Sequence, residues 1–242
     1  MSLAACMSEN AHAAWFAALE KQFAAADAEG AYLWPRTPIH DIQSKIKQRV
    51  GAGDREVDEP RSRPALILWQ IAVLQGAGLL PAAFSVLDIA CGDALVLLQI
   101  KNAHPAAACF GADFHAGGID THAEVSAAGV GLHRALIQHL FRAPIAPPFD
   151  LVLMLNTYRG WESADLKPED RDLPALADAW LRANARFAIL TVTESQTKHF
   201  QELGFNLQRI GPGEDNSIMV CLSREPLPGG GLFARLLAKL SL

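Results

Sequence analysis

The sequence has few of the features that mark secreted or membrane proteins. It holds four cysteines in 242 residues and no Cys-x-x-Cys pair, a usage that suits a reducing cytosol. No apolar run approaches the roughly 20 residues that a membrane-spanning helix needs. The first residues also lack the basic leader and hydrophobic stretch of a signal peptide. We therefore expect a cytoplasmic protein without a membrane span.

The chain also has no large excess of basic over acidic residues. The chain has 21 Lys and Arg against 26 Asp and Glu, a net charge of −5, and acidic residues are interleaved with its densest basic stretch, 45–63. Because duplex nucleic acid requires a net basic face to neutralise its phosphates, a nucleic-acid partner is not favoured. The length and the half-hydrophobic composition fit one α/β domain with an extension.

From residue 85 onward, short apolar segments alternate with helical patterns. This alternation predicts an α/β fold with a doubly wound, mostly parallel seven-stranded sheet, a closing antiparallel hairpin and an N-terminal helical extension. We divide the chain into a helical extension or lid at 1–83, an α/β domain at 84–225, and a Gly/Pro linker with a short helix at 226–242. The terminal helices are candidates for contacts in a homo-oligomer. The predicted strands are 86–90, 107–113, 131–138, 149–155, 186–192, 205–210 and 217–223.

The first strand runs directly into a tight turn of small residues. Positions 86–94 read Val-Leu-Asp-Ile-Ala-Cys-Gly-Asp-Ala, and such a strand, turn and helix opening is where an α/β sheet receives a nucleotide-like ligand. The segment resembles motif I of the class I S-adenosylmethionine-dependent methyltransferases, an Asp in the strand followed by Gly-x-Gly-x-Gly. The three glycine positions hold Ala90, Gly92 and Ala94 here, and alanine is the smallest departure from glycine.

Two further segments resemble the same family. The second predicted strand ends at Asp113, the place of an acidic residue that accepts hydrogen bonds from the cofactor ribose in that family. Counting back from the fourth strand, whose Phe-Asp-Leu-Val opening at 149–152 is typical of the family, the adenine-contacting position falls on Gln138. An amide can accept from an amino group and donate to a ring nitrogen. The resemblance implies an S-adenosylmethionine site formed by Asp88, Ala90, Cys91, Gly92, Asp113, Phe114, Gln138, His139 and Asn156.

The residues after the fourth strand would face the methyl acceptor, because the family places its substrate-facing residues there. The resemblance thus implies in-line methyl transfer to a small molecule: a metabolite, a sugar or a natural-product intermediate. Where the acceptor needs a general base, Tyr158 and Glu194 are the candidates, although Glu194 could instead be a first-turn helix residue stabilised by the macrodipole. The implied substrate-binding residues are Asn156, Tyr158, Arg159 and Trp161, with Glu162 beside them.

A metal site is not indicated. The histidines between 104 and 139 match no tight metal signature, and a divalent ion such as Mg²⁺ prefers oxygen ligands. We weighed His115, Asp120 and His122 as ligands and expect solvated loop and helix histidines instead.

Two other functions stay open. A methyltransferase-like protein that has lost catalysis and acts as a binding or scaffold subunit would explain the departures at Ala90, Ala94 and Gln138. An NAD(P)-dependent oxidoreductase shares the strand–turn–helix opening and the acid after the second strand. It is less favoured, because the Gly-x-Gly-x-x-Gly fingerprint is absent.

Overall fold

The structure is a computed structural model. It describes residues 3–29, 63–118, 121–143, 146–155, 171–213 and 217–228. The short C-terminal helix predicted after the Gly/Pro linker falls within 229–242, outside the described residues. Within the described part of the chain, no helix is long and apolar enough to cross a membrane.

The elements follow the predicted alternation. The helices are α1 (Leu3–Glu29), α2 (Arg63–Gly76), α3 (Leu95–Ala103), α4 (Thr121–Ala127), α5 (Ile137–Arg142), α6 (Leu173–Asn184) and α7 (Glu194–Glu202). The strands are β1 (Ser85–Ile89), β2 (Ala108–Asp113), β3 (Gly131–Arg134), β4 (Phe149–Met154), β5 (Ala185–Val192), β6 (Asn206–Pro212) and β7 (Ile218–Ser223).

The strands form one seven-stranded sheet in the order β3-β2-β1-β4-β5-β7-β6. The first five strands of the chain pair in parallel, and β7 runs antiparallel between β5 and β6. The predicted doubly wound sheet and closing hairpin are therefore confirmed. The chain winds outward from β1 to β3 and then returns to β4 on the other side of β1. The carboxyl ends of β1 and β4 thus meet at a topological switch point, where open α/β sheets bind their ligands.

Helices cover both faces of the sheet. On one face, α1, α5, α6 and α7 pack against strand residues such as Leu87 and Val152. On the other, α2, α3 and α4 pack against Val86 and Leu151. Neighbouring residues of a strand thus enter opposite cores, as the two-residue period of a strand requires. This double burial explains why β4 reads as an almost continuous apolar run.

Helix α1 is packed into one of these cores. Phe16 is buried and stacks on His133 of β3, with ring centroids 3.8 Å apart. The Nδ1 atom of His133 in turn lies 2.9 Å from the Oε1 atom of Glu20. The lid function of 1–83 stays a prediction, because 30–62 lies outside the described residues.

Strand β3 ends at Arg134, before the predicted end at Gln138. The N–H of Leu140 donates to the carbonyl of Leu136 at 3.0 Å, so a helical turn begins directly after the strand. The prediction of a strand through 138 is therefore wrong: Gln138 lies on the short helix α5, which the sequence analysis did not predict.

Close packing between β2 and the residues after β1 depends on Gly111. A Cβ atom at this position would stand 2.8 Å from Cys91 Sγ, 2.9 Å from Leu132 Cδ2 and 3.0 Å from Leu97 Cδ1. Interiors packed to crystal density have no room for such contacts. Any side chain at position 111 would therefore displace Cys91, which belongs to the turn after β1.

We expect Gly111→Ala to lower the free energy of unfolding by about 1–3 kcal/mol, the usual range for overpacking a core. The measurement is urea unfolding of the purified variant. Gly76→Ala is the matched control, because no described atom other than those of its chain neighbours and of its own helix backbone lies within 4 Å of a Cβ at that position. Equal stability of the two variants would contradict the account.

Candidate active site

The residues after β1 form a tight turn, 90–94, which we call the bend. Ala90, Gly92 and Ala94 have φ values of 59°, 54° and 58°. Positive φ is the left-handed region that glycine adopts readily and alanine rarely does. All three motif positions therefore keep the glycine conformation, although two of them hold alanine.

This conformation is unfavourable for alanine but leaves the bend accessible. Each alanine in the left-handed region costs about 1–2 kcal/mol, so neighbouring groups must hold the chain in place. Ala94 is buried in the core beside α3, whereas Ala90 is only half-buried. Apart from its chain neighbours, no described atom lies within 4 Å of a Cβ built on Gly92. The backbone at residue 92 can therefore be approached closely by a ligand.

Asp113 ends β2 directly beside the bend. Its Oδ2 accepts from the N–H of Gly92 at 3.2 Å, and its Oδ1 accepts from the N–H of His115 at 2.7 Å. Burial raises the pKa of the Asp113 carboxyl, while the two backbone hydrogen bonds and the nearby rings of His115 and His122 act in the opposite direction. Each carboxylate oxygen keeps further acceptor capacity, so the group can still bind a cis-diol.

Cys91 contributes its main chain to the bend and its side chain to the core. The residue is 8% exposed, and its Sγ lies over Gly111. Burial raises the pKa of the Cys91 thiol well above its usual value, and the charges of Asp113, Asp88 and Asp93 add to the shift. A buried neutral thiol of this kind is inert rather than nucleophilic.

Asp88 lies in β1, two residues before the bend. It is 3% exposed and pairs in register with Gly111 of β2 and Leu153 of β4. The predicted cofactor residue is thus part of the sheet interior just before the turn.

Phe114, Gln138 and His139 follow the carboxyl ends of β2 and β3, at the same edge of the sheet as the bend. Phe114 is half-buried and packs against Phe23 of α1 and Leu136. Gln138 is buried and His139 half-buried on α5. The structure therefore brings these predicted residues to one end of the sheet, with α1 beside them.

Glu194 lies in the first turn of α7. Its carboxylate forms an ion pair with Arg209 of β6, and a capping box of Thr193 and Gln196 surrounds it in sequence. The geometry gives Glu194 the role of a helix N-terminal acid. The other candidate base, Tyr158, lies outside the described residues. The same holds for the other residues predicted to bind the substrate, which are Asn156, Arg159 and Trp161, and for the neighbouring Glu162.

The expectation of solvated histidines is wrong for His115 and His122. They are 3% and 2% exposed, because the loop after β2 and the start of α4 fold against the bend. In the described part of the chain, no group of three or more His, Cys, Asp or Glu residues could hold a metal ion. Asp120 lies outside the described residues. The contacts of His122 with the bend were not predicted from the sequence. Its position at the start of the helix after the second strand is the one sequence feature that could have suggested them.

Comparisons with known proteins support the fold. No protein-family model and no curated protein matches the sequence. The chain is similar in structure to WbdD crystallised with a kinase inhibitor, with a TM-score of 0.57 and 16% identity over 79% of this chain and 49% of that one. A second structure, of the bifunctional kinase–methyltransferase WbdD, gives a TM-score of 0.51 and 16% identity over 73% of this chain and 42% of that one.

The chain spans half or less of the length of these WbdD structures. Together with the strand order and the closing hairpin, the likeness shows that the chain has the Rossmann-like fold of the class I methyltransferases.

Replacing the left-handed alanines by glycine should change the free energy of unfolding differently at the two positions. Ala90→Gly removes the cost of positive φ at a half-buried site, and we expect it to raise the free energy of unfolding by about 0.5–1 kcal/mol after the entropy of the unfolded glycine is subtracted. Ala94→Gly also removes a buried methyl group, worth about 0.8 kcal/mol, so we expect almost no net change.

Urea unfolding of both variants checks this prediction. Ala72→Gly is the control, because residue 72 lies within the ordinary helix α2 and glycine should destabilise it by about 1 kcal/mol. Destabilisation of Ala90→Gly as large as that of the control would contradict the left-handed conformation at residue 90.

Proposed function

We propose that the chain binds S-adenosylmethionine at the bend and transfers its methyl group to a small-molecule acceptor. One observation carries the proposal: the positions that the motif reserves for glycine are all left-handed, and the carboxylate of Asp113 is bonded to the central one, Gly92. The bend follows β1, one of the two strands at the topological switch point, and Asp113 ends the neighbouring strand β2.

The described residues fit an adenosyl group. The Asp113 carboxylate would accept the two ribose hydroxyls in charge-assisted hydrogen bonds, and the open backbone at Gly92 would let the cofactor chain approach. Phe114, Gln138 and His139 would flank the adenine, with the amide of Gln138 able to both accept and donate. Bound there, the cofactor supplies an activated methyl group on a sulfonium.

The contribution of the protein is then mainly orientation. Holding two reactants aligned can supply roughly 7–11 kcal/mol toward the barrier, which requires a rigid bend and a fixed acceptor. Of the two candidate bases, Tyr158 is favoured over Glu194, since the Glu194 carboxylate is engaged by Arg209. Asn156, Arg159 and Trp161 stay the proposed acceptor contacts, because they follow β4 at the switch point.

The other two functions have less support. The dinucleotide-binding fold of oxidoreductases has the strand order 3-2-1-4-5-6, whereas here an antiparallel β7 lies between β5 and β6. A subunit without catalysis is suggested by the departures from the family pattern at Ala90, Ala94 and Gln138, two of which are alanines at glycine positions of the bend. Both keep the left-handed conformation, which favours retained cofactor binding.

The function is tested in two steps. Thermal shift with S-adenosylhomocysteine, NAD and NADP side by side is expected to show stabilisation by S-adenosylhomocysteine alone. Small-molecule acceptors are then screened with S-adenosylmethionine, and the release of S-adenosylhomocysteine is measured. We expect turnover with at least one acceptor. Binding without turnover on any acceptor would favour the binding subunit, and stabilisation by NAD or NADP would favour the oxidoreductase.

We expect Asp113→Ala to weaken S-adenosylmethionine binding by about tenfold to a hundredfold, as for hydrogen bonds to a charged group worth about 1.5–3 kcal/mol. Calorimetric titration measures the change. Asp150→Ala is the matched control, since Asp150 accepts from the N–H and hydroxyl of Ser85 at 2.8 and 3.1 Å, at the amino ends of β1 and β4. Unchanged affinity of Asp113→Ala would remove Asp113 from the site.

Cofactor affinity should also fall as the pH is lowered, and the fall should begin at a higher pH than it would for an aspartate with an ordinary pKa. The ionised carboxylate is the form that accepts both hydroxyls, and burial raises the pKa of Asp113, so this form is lost at a higher pH than usual. The effect on stability has the opposite sign. Because the folded-state pKa is the higher one, protonation of Asp113 as the pH falls through it favours the folded protein.

Calorimetric titrations of S-adenosylhomocysteine at a series of decreasing pH values test this behaviour. The parent protein should lose affinity while it remains folded, and Asp113→Asn should bind weakly without that loss. Identical profiles of affinity against pH for the two proteins would show that a group other than Asp113 causes the loss of affinity at low pH.

A further inference from the structure

His122 connects two backbone segments at the edge of the bend. It lies in the first turn of α4 and is 2% exposed. Its Nε2 is 2.7 Å from the carbonyl oxygen of Gly92, and its Nδ1 is 3.0 Å from the amide nitrogen of Gly117. The ring thus ties the bend to the loop that follows β2.

The two contacts select one tautomer of the neutral ring. A backbone N–H can only donate, so the Nδ1 of His122 accepts from Gly117 and carries no proton. The proton of the neutral ring is then on Nε2, which donates to the carbonyl of Gly92.

Neighbouring groups hold the same stretch of chain. The hydroxyl of Thr121 donates to the carbonyl of Asp93 at 3.0 Å, and the Asp113 carboxylate accepts from the N–H of Gly92. Two successive carbonyls of the bend are therefore bonded by the first turn of α4, while the N–H of Gly92 is bonded from β2. These contacts fix the orientation of the peptide groups at residues 92 and 93.

We propose that His122 is a positioning residue that holds the bend in its cofactor-binding conformation. The bend needs external support because Ala90 and Ala94 occupy a region of φ that alanine disfavours. A hydrogen bond to the carbonyl of Gly92, between these two residues, opposes relaxation of the bend toward ordinary φ values. The inference rests on the proposed function, since it concerns the same cofactor site.

Two amide variants separate the contacts of the ring. Glutamine places its amide near the position of Nε2 and can still donate to Gly92, whereas asparagine places its oxygen near Nδ1 and keeps only the contact with Gly117. We expect His122→Gln to bind S-adenosylhomocysteine within about twofold of the parent, and His122→Asn to bind roughly three- to tenfold more weakly, as for loss of one neutral hydrogen bond. A residue that only fills space would not separate the two.

Hydrogen exchange gives a readout that needs no cofactor. In the unliganded protein, the amides of Gly92 and Ala94 should exchange roughly three- to tenfold faster in His122→Asn than in His122→Gln. His199→Asn is the control, because it removes a 2.7 Å contact between His199 Nε2 on α7 and the Asp178 carboxylate on α6. It should leave both the affinity and these amides unchanged.

The outcomes distinguish this inference from the proposed function. If the parent binds S-adenosylhomocysteine and His122→Asn binds equally well with unchanged exchange, the positioning role is overturned and the proposed function stands. If the parent does not bind, the proposed cofactor site is overturned, and the exchange rates alone decide whether His122 holds the bend.

Discussion

The hydrogen bond between the N–H of Gly92 and the carboxylate of Asp113 joins the two strands on which the site depends. It is 3.2 Å long and connects the bend after β1 to the end of β2, where burial makes the carboxylate unusually basic. A buried carboxylate requires such partners, because an unpaired charge in the interior is costly. The same bond holds the Asp113 carboxylate against the bend. This contact therefore belongs both to the packing of the bend and to the proposed cofactor site.

The left-handed bend also depends on the packing beneath it. Cys91 can turn its side chain into the core only because Gly111 leaves room for the sulfur, and the methyl group of Ala94 is buried in the same core. On the other side, His122 and Thr121 bind the carbonyls of Gly92 and Asp93. Alanine is tolerated at two glycine positions because both sides of the turn are held.

Much of this could be predicted from sequence where the signal is local. Strands β4 and β5 lie within one residue of the predicted ranges 149–155 and 186–192, because nearly continuous apolar runs mark buried strands. The end of β3 could not be predicted, because the competition between a strand and the helix α5 is decided by backbone bonds around Leu136. Contacts between residues distant in sequence were also hidden. The pairing of Glu194 with Arg209 and the bonds of His122 have no periodic pattern, so neither could be read from spacing.

The central proposal is that an adenosyl group binds at the bend, and a crystal structure of the protein with S-adenosylhomocysteine tests it most directly. The account predicts that the ribose hydroxyls bond to the Asp113 carboxylate, with the ligand lying over the backbone of Gly92. A ligand bound at another edge of the sheet, or a bend that has left the left-handed conformation to admit it, would contradict the account.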